Sequence, residues 1–516
     1  MLHSPAIEEP DRPVSSARPI LVGWILVFVS ALALYALTAN RGVQWQDSGD
    51  IALRIYRGDL TNPLGLALVH ALHFWLGRFA LAVSNVEPVF AITLVSAVAA
   101  AMAVANLFGC VMTATRNLPS ALFAAASLAV ANTFWRLATV TEVYTLTAAL
   151  LAGECWCLLA LAGGAGRYAL WGMLLFNGLG VGNHLQAGLT TPVVVVVAVQ
   201  AWRAGRVRLA DLLIGVALWF AGTLPYTILV LQELYRSGDW LGTIKSALVG
   251  NFGASVANAG LPLQFTAVSI AFLFFSFPNL LLPAAVYGLV KGPLTGVPIM
   301  ARRALLAGLI LHALFVLRYN VQDQYTFLLP VFVLLCIFGG FGAAMTRRWN
   351  PSIMRRGITA GAVILLAVTP LVYWGTASLL RHYGLFHGTL HRKHAKPYRD
   401  AYEYLLIPWS VVEDSADRMS REAIELAGAG GLIVTEDSMA RFALQYRQMR
   451  SAMAGVEIEN WSSLPEAQTE LLERMRRKVA AGRRVVLVPL NRDAPAVPPP
   501  GEAWERKGDL YVLISF

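Results

Sequence analysis

Residues 20–50 read ILVGWILVFVSALALYALTANRGVQWQDSGD. The run from Ile20 to Leu37 carries no charge, and a helix needs about 20 apolar residues to cross a hydrocarbon core of roughly 30 Å. It therefore reads as a membrane span, and as an uncleaved anchor rather than a signal peptide. Runs of the same kind recur as far as Tyr373. Spans are expected at 20–38, 88–113, 119–131, 142–163, 168–183, 186–201, 211–231, 264–290, 304–318, 325–345 and 357–378. The chain is 57% hydrophobic and 14% charged, against roughly 25% charge in a soluble domain. The fold class is thus an α-helical polytopic membrane protein with about eleven transmembrane helices.

After Leu380 the pattern changes to that of a small α/β domain. Arg418–Ala427 and Pro465–Ala481 read as helices, and Gly431–Val434, Arg484–Val488 and Leu510–Ile514 as short strands. The expected organisation is a tail at 1–19, a transmembrane domain at 20–380 with its first outer loop at 39–87, and the α/β domain at 381–516. Asn460-Trp461-Ser462 matches a glycosylation sequon, which matters only in a eukaryotic secretory pathway.

The formal charge of +10 does not mark a nucleic-acid partner, because no basic stripe interleaved with aromatics occurs in a soluble module. The charge sits instead in short loops. Arg116, Arg167, the Arg203–Arg208 cluster, Lys291 with Arg302 and Arg303, and Arg347, Arg348, Arg355 and Arg356 fall on alternate connections. The positive-inside rule makes that side cytoplasmic, with the N-terminus inside and the α/β domain outside. Counting Leu64–Val83 as a span would invert every later loop. It is read as a helix in the outer interface, apolar face down and polar residues up. Cys110, Cys155, Cys157 and Cys336 lie in apolar runs, without the spacing of a zinc site.

On this topology the polar clusters collect at the outer face. Asp47 and Asp50 follow the first span, with Arg54 at the four-residue spacing that pairs it to Asp50. Asp47 is then a free carboxylate, although Asp47 or Ser48 has an equally ordinary use as a helix cap. Arg136 and Glu142 precede the fourth span, and a carboxylate there also suits a helix N-terminus. His184 follows the glycine-rich Gly178–Gly182 segment, while Arg318 and Asp323 share a loop where an ion pair is the plain reading. The mid-span ionisable residues are Glu154 and His312. That is few for a transport path, which gathers such groups at the bilayer centre. No metal-ligand spacing, phosphate loop or nucleophile elbow occurs, and no metal or cofactor is expected.

Taken in order, these motifs resemble the GT-C superfamily of glycosyltransferases. More narrowly they are similar to a bacterial membrane family related to the eukaryotic protein O-mannosyltransferase that acts on plexins. The likeness rests on Trp45-Gln46-Asp47-Ser48-Gly49-Asp50, Thr141-Glu142-Val143-Tyr144, Gly180-Val181-Gly182-Asn183-His184, Asn320-Val321-Gln322-Asp323-Gln324 with Phe327-Leu328-Leu329-Pro330, Pro397-Tyr398-Arg399-Asp400 and Ile433-Val434-Thr435-Glu436-Asp437. The family's His-Pro-Pro-Gly element is replaced by Thr61-Asn62-Pro63-Leu64-Gly65, so no role of that histidine carries over.

The resemblance implies inverting transfer of a hexose, such as mannose, from a polyprenyl-phosphate-linked donor. The acceptor is a protein or glycan hydroxyl at the extracytoplasmic face, in a bacterial inner membrane. The implied catalytic carboxylates are Asp47, as general base, with Asp50 and Glu142; Arg136, His184, Arg318 and Asp323 are implied to hold the donor's phosphate or sugar. The competing class is a membrane transporter or lipid flippase. The arginine pattern makes a direct forecast: reporter fusions after Arg206 and Arg348 read cytoplasmic, and fusions at Ser237 and the C-terminus read external. A cytoplasmic C-terminus would overturn the placement of every signature residue.

Overall fold

The computed structural model describes residues 17–291, 296–346, 352–388, 395–461, 464–493, 495 and 503–515. Arg347, Arg348 and Ser462, which figure in the sequence reading, lie outside them. Apolar helices dominate as far as His382. They begin with α1 (Ala17–Thr38), α2 (Gln46–Arg57), α3 (Ala71–Val83), α4 (Pro88–Thr115), α5 (Leu118–Ala129), α6 (Asn132–Ala138), α7 (Tyr144–Ala162), α8 (Arg167–Asn183) and α9 (Thr191–Arg203). There follow α10 (Leu209–Ser237), α11 (Trp240–Leu248), α12 (Gly253–Val256), α13 (Leu263–Ser276), α14 (Leu281–Lys291), α15 (Ile299–Arg318), α16 (Leu329–Met345) and α17 (Ser352–His382).

Among the described residues, 8 helices are long and apolar enough to cross a membrane, and two bent pairs raise this to 10. The expected span at 119–131 is α5 bent by 67° into α6, and that at 264–290 is α13 bent by 98° into α14. The bends have local causes. Pro278 cannot continue an α-helical ladder, and the Asn279 side chain accepts from Leu281 N at 2.9 Å to start α14 afresh. At the other break Tyr35 and Tyr373 donate to the freed carbonyls of Ala129 and Val130 at 3.0 and 2.9 Å, as an apolar surround demands. The remaining expected span, 168–183, is the 17-residue α8, at about 1.5 Å per residue a few ångströms short of a 30 Å core. It is antiparallel to α7 and parallel to α10.

Glycine makes the α8–α10 contact. A Cβ on Gly178 would stand 2.2 Å from the Trp219 carbonyl oxygen, and one on Gly182 2.7 Å from that of Gly222, so only backbones fit there. Beside this contact lies a buried polar knot. Glu154 accepts from Asn177 at 2.9 Å and Thr190 at 3.2 Å, while the Asn177 oxygen accepts from Thr191 and Trp219 at 2.8 Å each. One of the two mid-span ionisable groups is thus spent on packing.

The segment at 64–83 is too short to span: a 3-10 turn, then the 13-residue α3. Trp75, Leu76, Phe79 and Val83 form its exposed apolar stripe. Its polar residues do not face water as a group. His73 is fully buried, His70 meets the Asn183 carbonyl at 3.1 Å, and Arg78 donates to the last carbonyls of α2, Ile55 and Tyr56, where a cation suits the helix dipole.

Beyond α17 come α18 (Ala401–Leu406), α19 (Ser415–Ala427), β1 (Leu432–Thr435), α20 (Ala440–Arg450), β2 (Glu457–Asn460), α21 (Pro465–Ala480), β3 (Val485–Val488), β4 (Ala503–Lys507) and β5 (Leu510–Ser515). The strands lie in the order β2-β1-β3-β5-β4, parallel across the first three and antiparallel thereafter. The fully buried β1 and β3 were expected; the charged edges β2 and β4 were not. One face of the sheet packs with α19 and α20 against α2. The other is covered by α21 through Leu471 and Met475. Gly178→Leu should cost about 1–3 kcal/mol by overpacking, seen as a lower melting temperature in detergent. Gly361→Leu, with nothing within 4 Å of its Cβ, should not lower it.

Candidate functional site

The loop from α1 to α2 is fastened to the segment before α7 along its length. Asn40 N donates to the Thr139 carbonyl at 2.9 Å. The Gln44 side chain, 3% exposed, accepts from Thr141 N at 2.8 Å and donates to Thr93 Oγ1 at 3.0 Å. Ser96 of α4 brackets Glu142, accepting from its N–H and donating to its carbonyl. Trp45 caps α2 with no side-chain bond to the helix. Its indole donates instead to Ser415 Oγ at 2.8 Å. Gln46 then enters α2 at φ 57°.

This fastening brings together carboxylates that are distant in sequence. Asp47 stands in the first turn of α2 and caps nothing. Ser48 does not cap either: its hydroxyl donates to Glu142 Oε1 at 3.0 Å. Asp50 pairs with Arg54 at 2.9 Å, as its spacing foretells, and leaves Asp47 without an ion pair among the described residues. Asp47 is exposed, yet protein crowds it on most sides. That crowding, with Asp323 and Asp50 and against Arg54, pushes its carboxyl up to about 6. Glu142 is pushed up to about 8 by burial, then Asp47, with Asp323 adding and the Ser48 bond opposing. Asp323 is raised by its burial. Three carboxyls from three segments thus share one field.

The wall beside them is aromatic. Tyr144 meets His184 at 5.6 Å and Phe327 at 5.1 Å between ring centroids, and His184 stacks on His70 at 5.0 Å. His184 Nδ1 accepts from Gln186 N at 3.2 Å, which leaves the proton on Nε2. Burial pulls this imidazole down to about 4.

The two arginines are not free to face the carboxylates. Arg136 donates to the carbonyls of Tyr404 and Ile407 and lies 4.2 Å over the Tyr404 ring. Arg318, exposed, donates to the Asn258 carbonyl at 2.8 and 3.1 Å. The expected Arg318–Asp323 ion pair does not form; Asp323 holds Thr326 instead. Among the described residues no three His, Cys, Asp or Glu side chains gather closely enough to hold a metal ion. Sequence reasoning gave no site role to Gln44, His70 or Tyr404. Gln44 adjoins the acidic motif and His70 sits in the interfacial segment, both visible signals; nothing in the sequence marks Tyr404.

No protein-family model and no curated protein matches the sequence. Solved structures do match in shape. ArnT from Cupriavidus metallidurans bound to undecaprenyl phosphate aligns over 95% of this chain and 98% of that one, with 14% identity and a TM-score of 0.56. Its apo state aligns over 96% and 98%, with 14% identity and a TM-score of 0.55. A weaker likeness, TM-score 0.44 at 10% identity, links 84% of this chain to 62% of the Archaeoglobus fulgidus oligosaccharyltransferase in complex with Zn and sulfate. The chain shares the fold of ArnT.

Proposed function

We propose that this protein transfers a sugar, a hexose such as mannose, from a polyprenyl-phosphate-linked donor to a hydroxyl of a protein or glycan. The reaction is placed at the extracytoplasmic face of a bacterial inner membrane. The observation that carries this reading is the meeting of Asp47, Glu142 and Asp323, with Asp47 the one that is open and unpaired. Two further facts support it. The fold is that of ArnT, which binds undecaprenyl phosphate, and α3, which carries an exposed apolar stripe, starts directly after His70, whose ring stacks on His184, as suits a lipid-borne donor. A transporter would want mobile ionisable groups at the bilayer centre; Glu154 is bonded into the packed interior.

In this mechanism Asp47 accepts the proton of the acceptor hydroxyl as that oxygen attacks the anomeric carbon. The bond from carbon to the donor's phosphate oxygen breaks on the opposite side, so configuration inverts and polyprenyl phosphate departs. His184 offers its Nε2–H to the departing phosphate. Glu142 stays protonated near neutrality, so that it adds no negative charge facing the anionic donor. Asp323 shapes the field that sets Asp47, while Asp50 keeps Arg54 in place. Arg136 holds the backbone at Tyr404 and Ile407, and Arg318 that at Asn258.

Asp47→Asn keeps size and polarity but removes the proton acceptor, so turnover should fall by about 10²–10⁴ with donor binding little changed. Activity with a verified donor and acceptor that survives this change would overturn the base assignment. The pH profile provides a second check. Asp47 works deprotonated, so rate is lost as pH falls through about 6. Glu142 becomes charged as pH rises through about 8, which gives a second limb. Glu142→Gln should flatten the alkaline limb and spare the acidic one.

A further inference from the structure

Arg399 is 1% exposed, and a charge so buried needs a reason. Its guanidinium lies 3.9 Å over the Tyr404 ring and 5.5 Å over that of Trp45. Arg136 of α6 stands 4.2 Å over the same Tyr404 ring, and the Tyr404 hydroxyl reaches Gln46 Oε1 at 3.4 Å. Ser415 takes the Trp45 indole N–H at 2.8 Å. The C-terminal part of the chain therefore grips Trp45 and Gln46, the two residues that precede Asp47.

Gln46 is also where the backbone is strained. At φ 57° it occupies the left-handed region, which costs free energy for a residue with a Cβ and persists only where surroundings impose it. Its conformation sets the direction in which the first turn of α2 presents Asp47. Nearby, a Cβ on Gly49 would lie 2.5 Å from the Gln44 carbonyl oxygen, so the turn has little room for another path.

We propose that Arg399 and Tyr404 are positioning residues for the reaction: by stacking on Trp45 and reaching Gln46, the C-terminal α/β region holds the strained entry of α2 so that Asp47 points at the acceptor. This rests on the reading of Asp47 as general base. The C-terminal region then acts in the chemical step, and not only as a surface on which an acceptor docks.

The test is kinetic, on the full-length protein in detergent or nanodiscs. Arg399→Lys keeps the charge but loses the planar stack, and should lower kcat by about tenfold to a hundredfold while the KM for donor and acceptor stays within about twofold. Tyr404→Phe, which deletes only the hydroxyl, gives a milder fall of kcat and serves if Arg399→Lys does not fold. The decisive arm adds Gln46→Gly. Glycine adopts a positive φ without the Cβ penalty, so Gln46→Gly in the Arg399→Lys background should recover part of the lost kcat, about threefold or more. Raised acceptor KM at unchanged kcat would assign Arg399 to acceptor binding instead. A fall of kcat that Gln46→Gly leaves or worsens would reduce it to a fold contact. Asp47→Asn measured alongside separates the failures: if it retains wild-type turnover the base reading falls, whereas if it alone abolishes turnover only the positioning claim falls.

Discussion

The site depends on one buried side chain, Gln44. Its amide ties the loop after α1 to Thr141 and Thr93, next to the backbone bond from Asn40 to Thr139. With Gln44 in place, Ser48 reaches Glu142, and Asp47 comes into the field of Asp323. Losing one partner of such a bond leaves a buried polar group unsatisfied, at about 1–3 kcal/mol.

The electrostatics follow from where the cations are committed. Arg54 answers Asp50, Arg136 and Arg318 answer backbone carbonyls, and no arginine ion-pairs with Asp47 among the described residues. Burial and like charge therefore dominate, and they raise all three central carboxyls rather than lowering them. In the proposed mechanism this uneven raising has a chemical use. A group at about 6 is an ionised acceptor near neutrality, while its neighbour at about 8 stays neutral, the separation by which two like side chains take different roles.

Much of this was legible in the sequence, and the physical reasons separate what was from what was not. Long apolar runs announce spans because the hydrocarbon core sets a length. The four-residue spacing foretold Asp50–Arg54 for the same geometric reason. The bend of α13 into α14 turns on Pro278, a local signal that hydropathy averages away. Strands β2 and β4 escaped notice because charged edges lack the apolar alternation by which strands are recognised. The capping reading of Asp47 and Ser48 failed since Glu142, 94 residues away from Ser48, competes for the hydroxyl. Arg136, expected to hold the donor, is likewise engaged by Tyr404, a contact of sequence separation 268. Partners at such distances are set by topology, which local pattern does not encode.

The central claim is that Asp47 stands where an acceptor hydroxyl meets the anomeric carbon of a lipid-linked donor. The measurement that bears on it most directly is an experimental structure of the protein with a non-reactive polyprenyl-phosphate sugar analogue and an acceptor. The account predicts the acceptor hydroxyl about 2.6–3.2 Å from the Asp47 carboxylate, with the phosphate on the far side of the anomeric carbon beside His184 and Tyr144. An analogue bound with its sugar out of reach of Asp47, or with Glu142 alone facing the hydroxyl, would contradict it.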